Sequence, residues 1–233
     1  MIKTMLRQAR SVVRRIVRPP LHAAEVKLPH QVYGTEYGGW PLLDGTIDQH
    51  TVIVSVGLGE DISFDLAAIK QFGCQIHGCD PTPKSLQWLH KQQLPPQFHV
   101  HAMGLGDQDG RVAVIPPANE AHVSFSATRG RDQEGDAVEI DIVTLPTLMR
   151  QIDVDRLDVL KMDIEGFEYG VVNALAASSI RPGQLLIEFH HGMYTYQTAD
   201  TQQAVDTLRS AGYRLFYVSS GGHEYGFVHE KAA

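Results

Sequence analysis

Asp163, Glu165 and His190 are the residues whose types and setting suit chemistry on a hydroxyl group. Asp163-Ile-Glu165-Gly166 follows the apolar run Leu157–Met162, and His190-His191 follows Gln184–Phe189. A hydroxyl that attacks an electrophilic carbon must lose its proton, and an imidazole with an ordinary pKa near 6.5 can take it. His190 is the first candidate for that base and His191 the second. Each residue also has a plainer reading. Asp163 suits a helix N-cap, Glu165 suits the positive end of a helix dipole, and histidines are ordinary loop residues. Asp163, Glu165, Glu188 and His190 are also of metal-ligating types. Their spacing matches no metal signature, so the sequence assigns no metal.

The stretch that must position these groups is Thr51-Val-Ile-Val-Ser-Val-Gly-Leu-Gly-Glu-Asp-Ile-Ser-Phe64. Val52-Ile53-Val54 reads as a buried parallel strand. Gly57 and Gly59 follow, and then Ile62, Leu66 and Ile69 at helical spacing. A strand, a glycine turn and a helix let backbone approach a ligand closely beside free N–H groups. Asp80 ends the next strand, Gln75–Cys79, roughly 20 residues past the glycines, where an acid can accept hydrogen bonds from a ribose diol.

The turn discriminates among nucleotides. A dinucleotide fingerprint needs a third glycine where Ile62 stands, which disfavours a nicotinamide oxidoreductase. A phosphate loop needs Gly-Lys-Ser/Thr, which is absent. Glu60 and Asp61 at the helix entry suit a cation rather than a phosphate. S-adenosylmethionine carries a sulfonium and an ammonium and no phosphate, so it is the favoured ligand. The plain alternative is a tight strand-to-helix turn with no ligand.

Strands and helices alternate through most of the chain. The strand Gln97–Met103 puts Met103 and Gly104 where an adenine would lie, and Leu86 and Leu89 face inward from the second helix. An insertion breaks the alternation: Arg111–Ile115 and Val138–Val143 alternate in polarity around a loop holding Ser124-Phe-Ser126, which predicts an antiparallel addition. Helices are predicted at Pro146–Ile152, Phe167–Ala177 and about Thr201–Ala211. Tyr213–Val218 and Glu224–Val228, joined by Ser219-Ser-Gly-Gly222, predict a closing antiparallel hairpin. Ahead of the first core strand, Gly34–Pro41 is rich in turn formers. Its Tyr37 or Trp40 could cap a ligand, and the alternative is a loop whose tryptophan covers the sheet edge.

The 233 residues, 43% of them hydrophobic, suit one larger globular domain. We divide the chain into residues 1–49, a basic N-terminal helix and capping loop, and residues 50–233, the cofactor-binding domain. Six basic residues and no acid lie in residues 1–20, which leaves −13 on the rest against an overall charge of −7. So acidic a body excludes nucleic acid as a broad-face partner. Residues 1–18 read either as an amphipathic helix touching an anionic membrane or a partner, or as a solvated tail. No apolar stretch suits a secretory signal or a membrane span, although a transit-like peptide fits the composition of the basic segment. Cys74 and Cys79 flank one strand, too far apart to bridge, as in a cytoplasmic protein.

Over about residues 50–218 the chain resembles the FkbM-type S-adenosylmethionine-dependent methyltransferases. Leu160-Lys-Met-Asp-Ile-Glu-Gly-Phe-Glu168 is similar to that family's Lys-Ile-Asp-Val-Glu-Gly signature. Cys79-Asp-Pro-Thr-Pro83, Gly104–Gly110, Val143–Leu148 and Leu186–His190 follow the same order. The resemblance implies a Rossmann-like sheet of seven mostly parallel strands with a C-terminal hairpin. It also implies O-methylation of a sugar or secondary metabolite, hence a small-molecule or glycan acceptor. Ser55 departs from the acid that many methyltransferases carry there, and Asp61 from the last glycine of the usual motif.

The expected cofactor site is Gly57, Gly59, Glu60, Asp80, Met103 and Gly104, and the expected catalytic residues are Asp163, Glu165 and His190. The rival reading is a catalytically silent domain of this fold, recruited through its basic N-terminal segment.

Overall fold

A computed structural model describes residues 20–114, 137–193 and 195–232. The basic segment 1–18, Ile115 and the Ser124-Phe-Ser126 loop lie outside the described residues.

Seven strands build the main sheet: β3 (Val52–Val56), β4 (Gln75–Cys79), β5 (Phe98–His101), β9 (Val159–Met162), β10 (Gln184–Glu188), β11 (Tyr213–Val218) and β12 (Glu224–His229). Their spatial order is β11-β12-β10-β9-β3-β4-β5. Pairs between β5 and β10 are parallel, whereas β12 slots antiparallel between β10 and β11. The order reverses between β3 and β9, which opens a crevice at their carboxyl ends. β9 and β10 are short and buried on both faces along most of their length, as their largely apolar residues require, with Lys161 buried inside β9.

Helices α1 (Ser63–Phe72), α2 (Pro83–Leu89), α3 (Leu145–Gln151), α4 (Glu168–Ala177) and α5 (Thr198–Ser210) cover the faces. One core joins β9 and β10 to α3, α4 and α5 through Leu148, Val172, Leu175, Val205 and Leu208. The other joins β3 and β4 to α1 and α2 through Phe64, Ala68, Ile69 and Leu89. The expected Ile62–Leu66–Ile69 stripe is corrected here: Leu66 is 37% exposed, and Phe64, Asp65 and Ala68 turn inward in its place. Gly73, at φ +70, ends α1 in the left-handed conformation that glycine adopts most easily.

The hairpin of β1 (His30–Tyr33) and β2 (Trp40–Leu43) also packs here, with Trp40, Leu42 and Leu43 in the second core. Residues 30–43 are thus part of the same packed body rather than a separate cap. The insertion forms its own small sheet, in which β8 (Val138–Val143) pairs parallel with β6 (Gly104–Leu105) and antiparallel with β7 (Gly110–Val114). Cys74 and Cys79 are buried free thiols. Among the described residues no helix is long and apolar enough to cross a membrane.

Candidate active site

The crevice at the β3/β9 junction begins with the glycine turn. Gly57 sits at φ +76, and a Cβ built on it would lie 1.7 Å from the Asp163 carbonyl oxygen. Only glycine fits between these two strand ends. The Gly57 N–H donates to the Cys79 carbonyl at 3.0 Å and the Asp163 N–H to that of Val56 at 3.1 Å, so three strands meet there. Gly59 follows at φ +54.

Asp80 stands at the tip of β4 as expected, yet its carboxylate faces the turn. Oδ2 accepts the N–H groups of Leu58 at 3.1 Å and Gly59 at 3.0 Å. Oδ1 accepts the Thr82 N–H at 2.9 Å and its hydroxyl at 2.6 Å. Four bonds fill the acceptor sites of a carboxylate. Asp80 therefore fastens the glycine turn to the start of α2. A ribose hydroxyl would have to share or displace one of these bonds. Glu60 is exposed at the turn, 3.9 Å from the Lys84 ammonium. Met103 is half-buried beyond β5, while Gly104 is buried, its missing Cβ position 3.1 Å from Pro81 and 3.3 Å from Ile142. Gly104 thus serves close packing.

Beneath the turn lies a buried polar group that the sequence reading gave no role. Lys161, in the middle of apolar β9, donates to the Gly57 carbonyl at 2.6 Å and the Val56 carbonyl at 3.2 Å. Its ammonium stands 5.4 Å from the centre of the Trp40 ring. Trp40 is thus a core residue under a cation rather than a ligand cap. Asp65 of α1 is fully buried nearby, and burial, partly offset by the Lys161 charge, pushes its carboxyl up to about 6. Among the described residues, its Oδ1 and the Ser55 hydroxyl find no partner of good hydrogen-bond geometry. A lysine inside an unbroken strand run was the available signal.

Across the crevice the three expected catalytic residues converge. Asp163, Glu165 and His190 each offer a ligand atom within 4.8 Å of the others. His190 Nε2 lies 3.3 Å from Glu165 Oε2 and 3.6 Å from Asp163 Oδ1. Glu165 reaches in from a left-handed backbone, φ +53, at the bend between β9 and α4. Behind the ring, fully buried Glu168 accepts the His190 Nδ1–H and its backbone N–H, both at 3.0 Å, and the Gly166 N–H at 2.8 Å. Glu168 is the residue the sequence reading missed. It stood in the sequence only as the end of the family-like motif, with no role of its own, and here it orients the imidazole.

These charges alter the expected chemistry. Burial would lower the His190 pKa, but the Glu168 hydrogen bond and the charges of Glu168, Glu165 and Asp163 overcome it and push it up to about 10. Without another cation the ring is an imidazolium at neutral pH, so the free base expected at His190 is corrected. Glu188, at the end of β10, pairs across the strand with Glu224. Burial first, then Asp163, Glu224 and Glu165, push its carboxyl up to about 8 against the pull of His190. His191 points elsewhere, stacked on His223 with ring centres 4.5 Å apart, and burial holds it down at about 4.

The β1–β2 turn overhangs this rim. Asp61 accepts the Thr35 hydroxyl at 2.9 Å and the Ser63 N–H at 2.8 Å, which ties the turn to the start of α1. At its tip Tyr37 is 88% exposed. Partial desolvation and the charges of Asp163, Glu188 and Glu165 hold its hydroxyl above the ordinary phenol value, which places that hydroxyl in their field.

A doubly wound sheet with one antiparallel strand inserted next to its edge strand, and a glycine turn at the reversal point, is the architecture of Rossmann-like methyltransferases. Residues 51–215 match the family described as the methyltransferase FkbM domain, and the chain belongs to it. Members of that family use S-adenosylmethionine. Among curated proteins, "Probable methyltransferase-like protein 24" of Rattus norvegicus is 25% identical over 175 residues, or 71% of this chain and 42% of its own length. The Homo sapiens protein of that name matches with the same identity and coverage. This chain therefore spans less than half the length of those relatives. Among solved structures, Methanococcus jannaschii fibrillarin aligns at TM-score 0.48 and 11% identity, over 79% of this chain and 69% of its own. Aeropyrum pernix fibrillarin, with bound S-adenosylmethionine, aligns at TM-score 0.45 and 10% identity, over 89% and 85%.

Proposed function

We propose that this chain transfers the methyl group of S-adenosylmethionine to a hydroxyl oxygen of a small-molecule or glycan acceptor. The observation that carries the reading is the convergence of Asp163, Glu165 and His190 one strand away from the Gly57–Gly59 turn. The donor set fits the cofactor. The rim offers the carboxylates of Glu60 and Asp163, while the Lys161 ammonium is turned down onto backbone carbonyls. A sulfonium is favoured there and a phosphate is not. Gly57, Gly59, Glu60, Met103 and Gly104 would border it, with Asp80 acting through the turn it fastens.

Bound cofactor supplies an electrophilic methyl carbon. The chain's own residues position the acceptor: the Asp163 and Glu165 carboxylates accept from its hydroxyls, and Glu168 fixes the ring of His190 beside them. Glu188, its carboxyl pushed up to about 8, is the group suited in its ionised form to receive the hydroxyl proton, which predicts activity rising with pH toward that value. Positioning supplies most of the rate.

The test is a thermal melt with and without S-adenosylmethionine, followed by a search for labelled methyl on candidate acceptors. Ligand at 100 times its Kd should add about 2.7 kcal/mol of apparent stability. Asp80→Asn, which loosens the turn, should lose that shift. No shift in the wild type at millimolar cofactor would overturn the reading.

A further inference from the structure

The Asp163–Glu165–His190 cluster combines two carboxylates and an imidazole, and its spacing can be compared with metal coordination. Ligand atoms about 2.0 to 2.2 Å from a metal sit about 3 to 3.5 Å apart when they occupy neighbouring coordination positions. His190 Nε2 stands 3.3 Å from Glu165 Oε2 and 3.6 Å from Asp163 Oδ1. The three donors come from the ends of two adjacent strands, β9 and β10, and their ligand atoms all lie within 4.8 Å of one another.

Two observations outside that triad point the same way. Glu168, with no exposure, accepts the Nδ1–H of His190, so the Nε2 that faces the carboxylates is the nitrogen a cation would take in exchange for its proton. Ligating histidines are held from behind in this manner. Glu188 stands beside the cluster, within the field of Asp163 and Glu165 and directly across from Glu224 on β12. Carboxyl groups gathered this closely keep their charges together only where something positive lies near them.

We propose that Asp163, Glu165 and His190 form a divalent-cation site of Mn²⁺ or Mg²⁺ type, open on the crevice side to the acceptor hydroxyl. A donor set with two carboxylates and one imidazole suits Mn²⁺ over a soft or thiophilic ion. The cation fixes the acceptor oxygen and lowers the cost of removing its proton. This deepens the proposed methyl transfer and rests on it for its purpose, but not for its detection.

The experiment is a Mn²⁺ titration of the full chain followed by electron paramagnetic resonance, after treatment with a chelator. One Mn²⁺ per chain is expected, displaced by excess Mg²⁺. Asp163→Asn and Glu165→Gln should each weaken binding at least tenfold. Glu168→Gln, which touches only the back of the ring, should weaken it by about 10- to 100-fold. Absence of stoichiometric Mn²⁺, or binding that survives in both Asp163→Asn and Glu165→Gln, overturns the proposal. Calorimetry of S-adenosylmethionine binding in chelator separates the two readings. Cofactor binding without Mn²⁺ binding sinks the metal site and leaves the methyltransferase standing, whereas loss of both sinks both.

Discussion

Asp65→Asn should make the protein's stability less dependent on pH in the mildly acidic range. The Asp65 carboxyl is fully buried in α1, its Oδ1 makes no hydrogen bond among the described residues, and its pKa rises from 3.8 to about 6. Because the folded pKa is raised, the native state holds a proton that the unfolded chain has already released between these two values. Stability attributable to this group is therefore highest below 3.8 and falls as pH rises through about 6. Integrating that linkage gives a loss of about 1 kcal/mol by pH 4.5 and about 3 kcal/mol by pH 7. Asparagine has the same shape and does not titrate. The stability of Asp65→Asn minus that of the wild type should grow by about 2 kcal/mol between pH 4.5 and pH 7. Lys161 keeps its carbonyl partners in the variant, so its effect cancels in the difference. Urea unfolding followed by the fluorescence of Trp40 and Trp88 at a series of pH values reads the gap. Two curves that stay parallel within about 0.5 kcal/mol would refute the assignment of Asp65 as a buried, strained ionisable group.

Two further outcomes follow from the rim. Gly57→Ala should cost more than the ~1 to 2 kcal/mol of a left-handed alanine, because its Cβ would also strike the Asp163 carbonyl. A urea-unfolding free energy that falls by less than about 1 kcal/mol would contradict the close packing of β3 on β9. Tyr37→Ala should leave stability within about 0.5 kcal/mol, as expected of an exposed side chain, while raising the KM for the acceptor more than it lowers kcat. An unchanged KM would remove the β1–β2 turn from acceptor recognition.

The sequence made the scaffold readable wherever burial imposed a run of apolar residues. Val52–Val56, Val159–Met162 and Gln184–Glu188 fall on the expected strands, and the Gly-rich turn at 219–222 announces the inserted β12. Spacing also brought Asp163, Glu165 and His190 to one rim. Periodicity failed where a polar residue occupies an inward position. Asp65 faces the core in place of Leu66, because the Lys161 charge compensates part of its burial. Glu168 was hidden for the same reason: its partner, His190, lies 22 residues away and is brought near only by the pairing of β9 with β10. Asp80 shows a further limit. Its place at a strand tip was legible, but the direction of its carboxylate depends on the N–H groups of Leu58 and Gly59.

The contact between Gly57 and the Asp163 carbonyl has a thermodynamic consequence. With no room for even a methyl group between them, the cofactor turn cannot move without carrying the Asp163 backbone along. Under the proposed function, donor and acceptor lie on the two sides of that seam, and a shift of one side is felt by the other. Whatever factor the methyl donor imposes on the affinity for an acceptor, the acceptor must impose on the donor. Order of addition and the pace of product departure then become properties of one strand-to-strand contact, adjustable without touching a residue that meets either ligand.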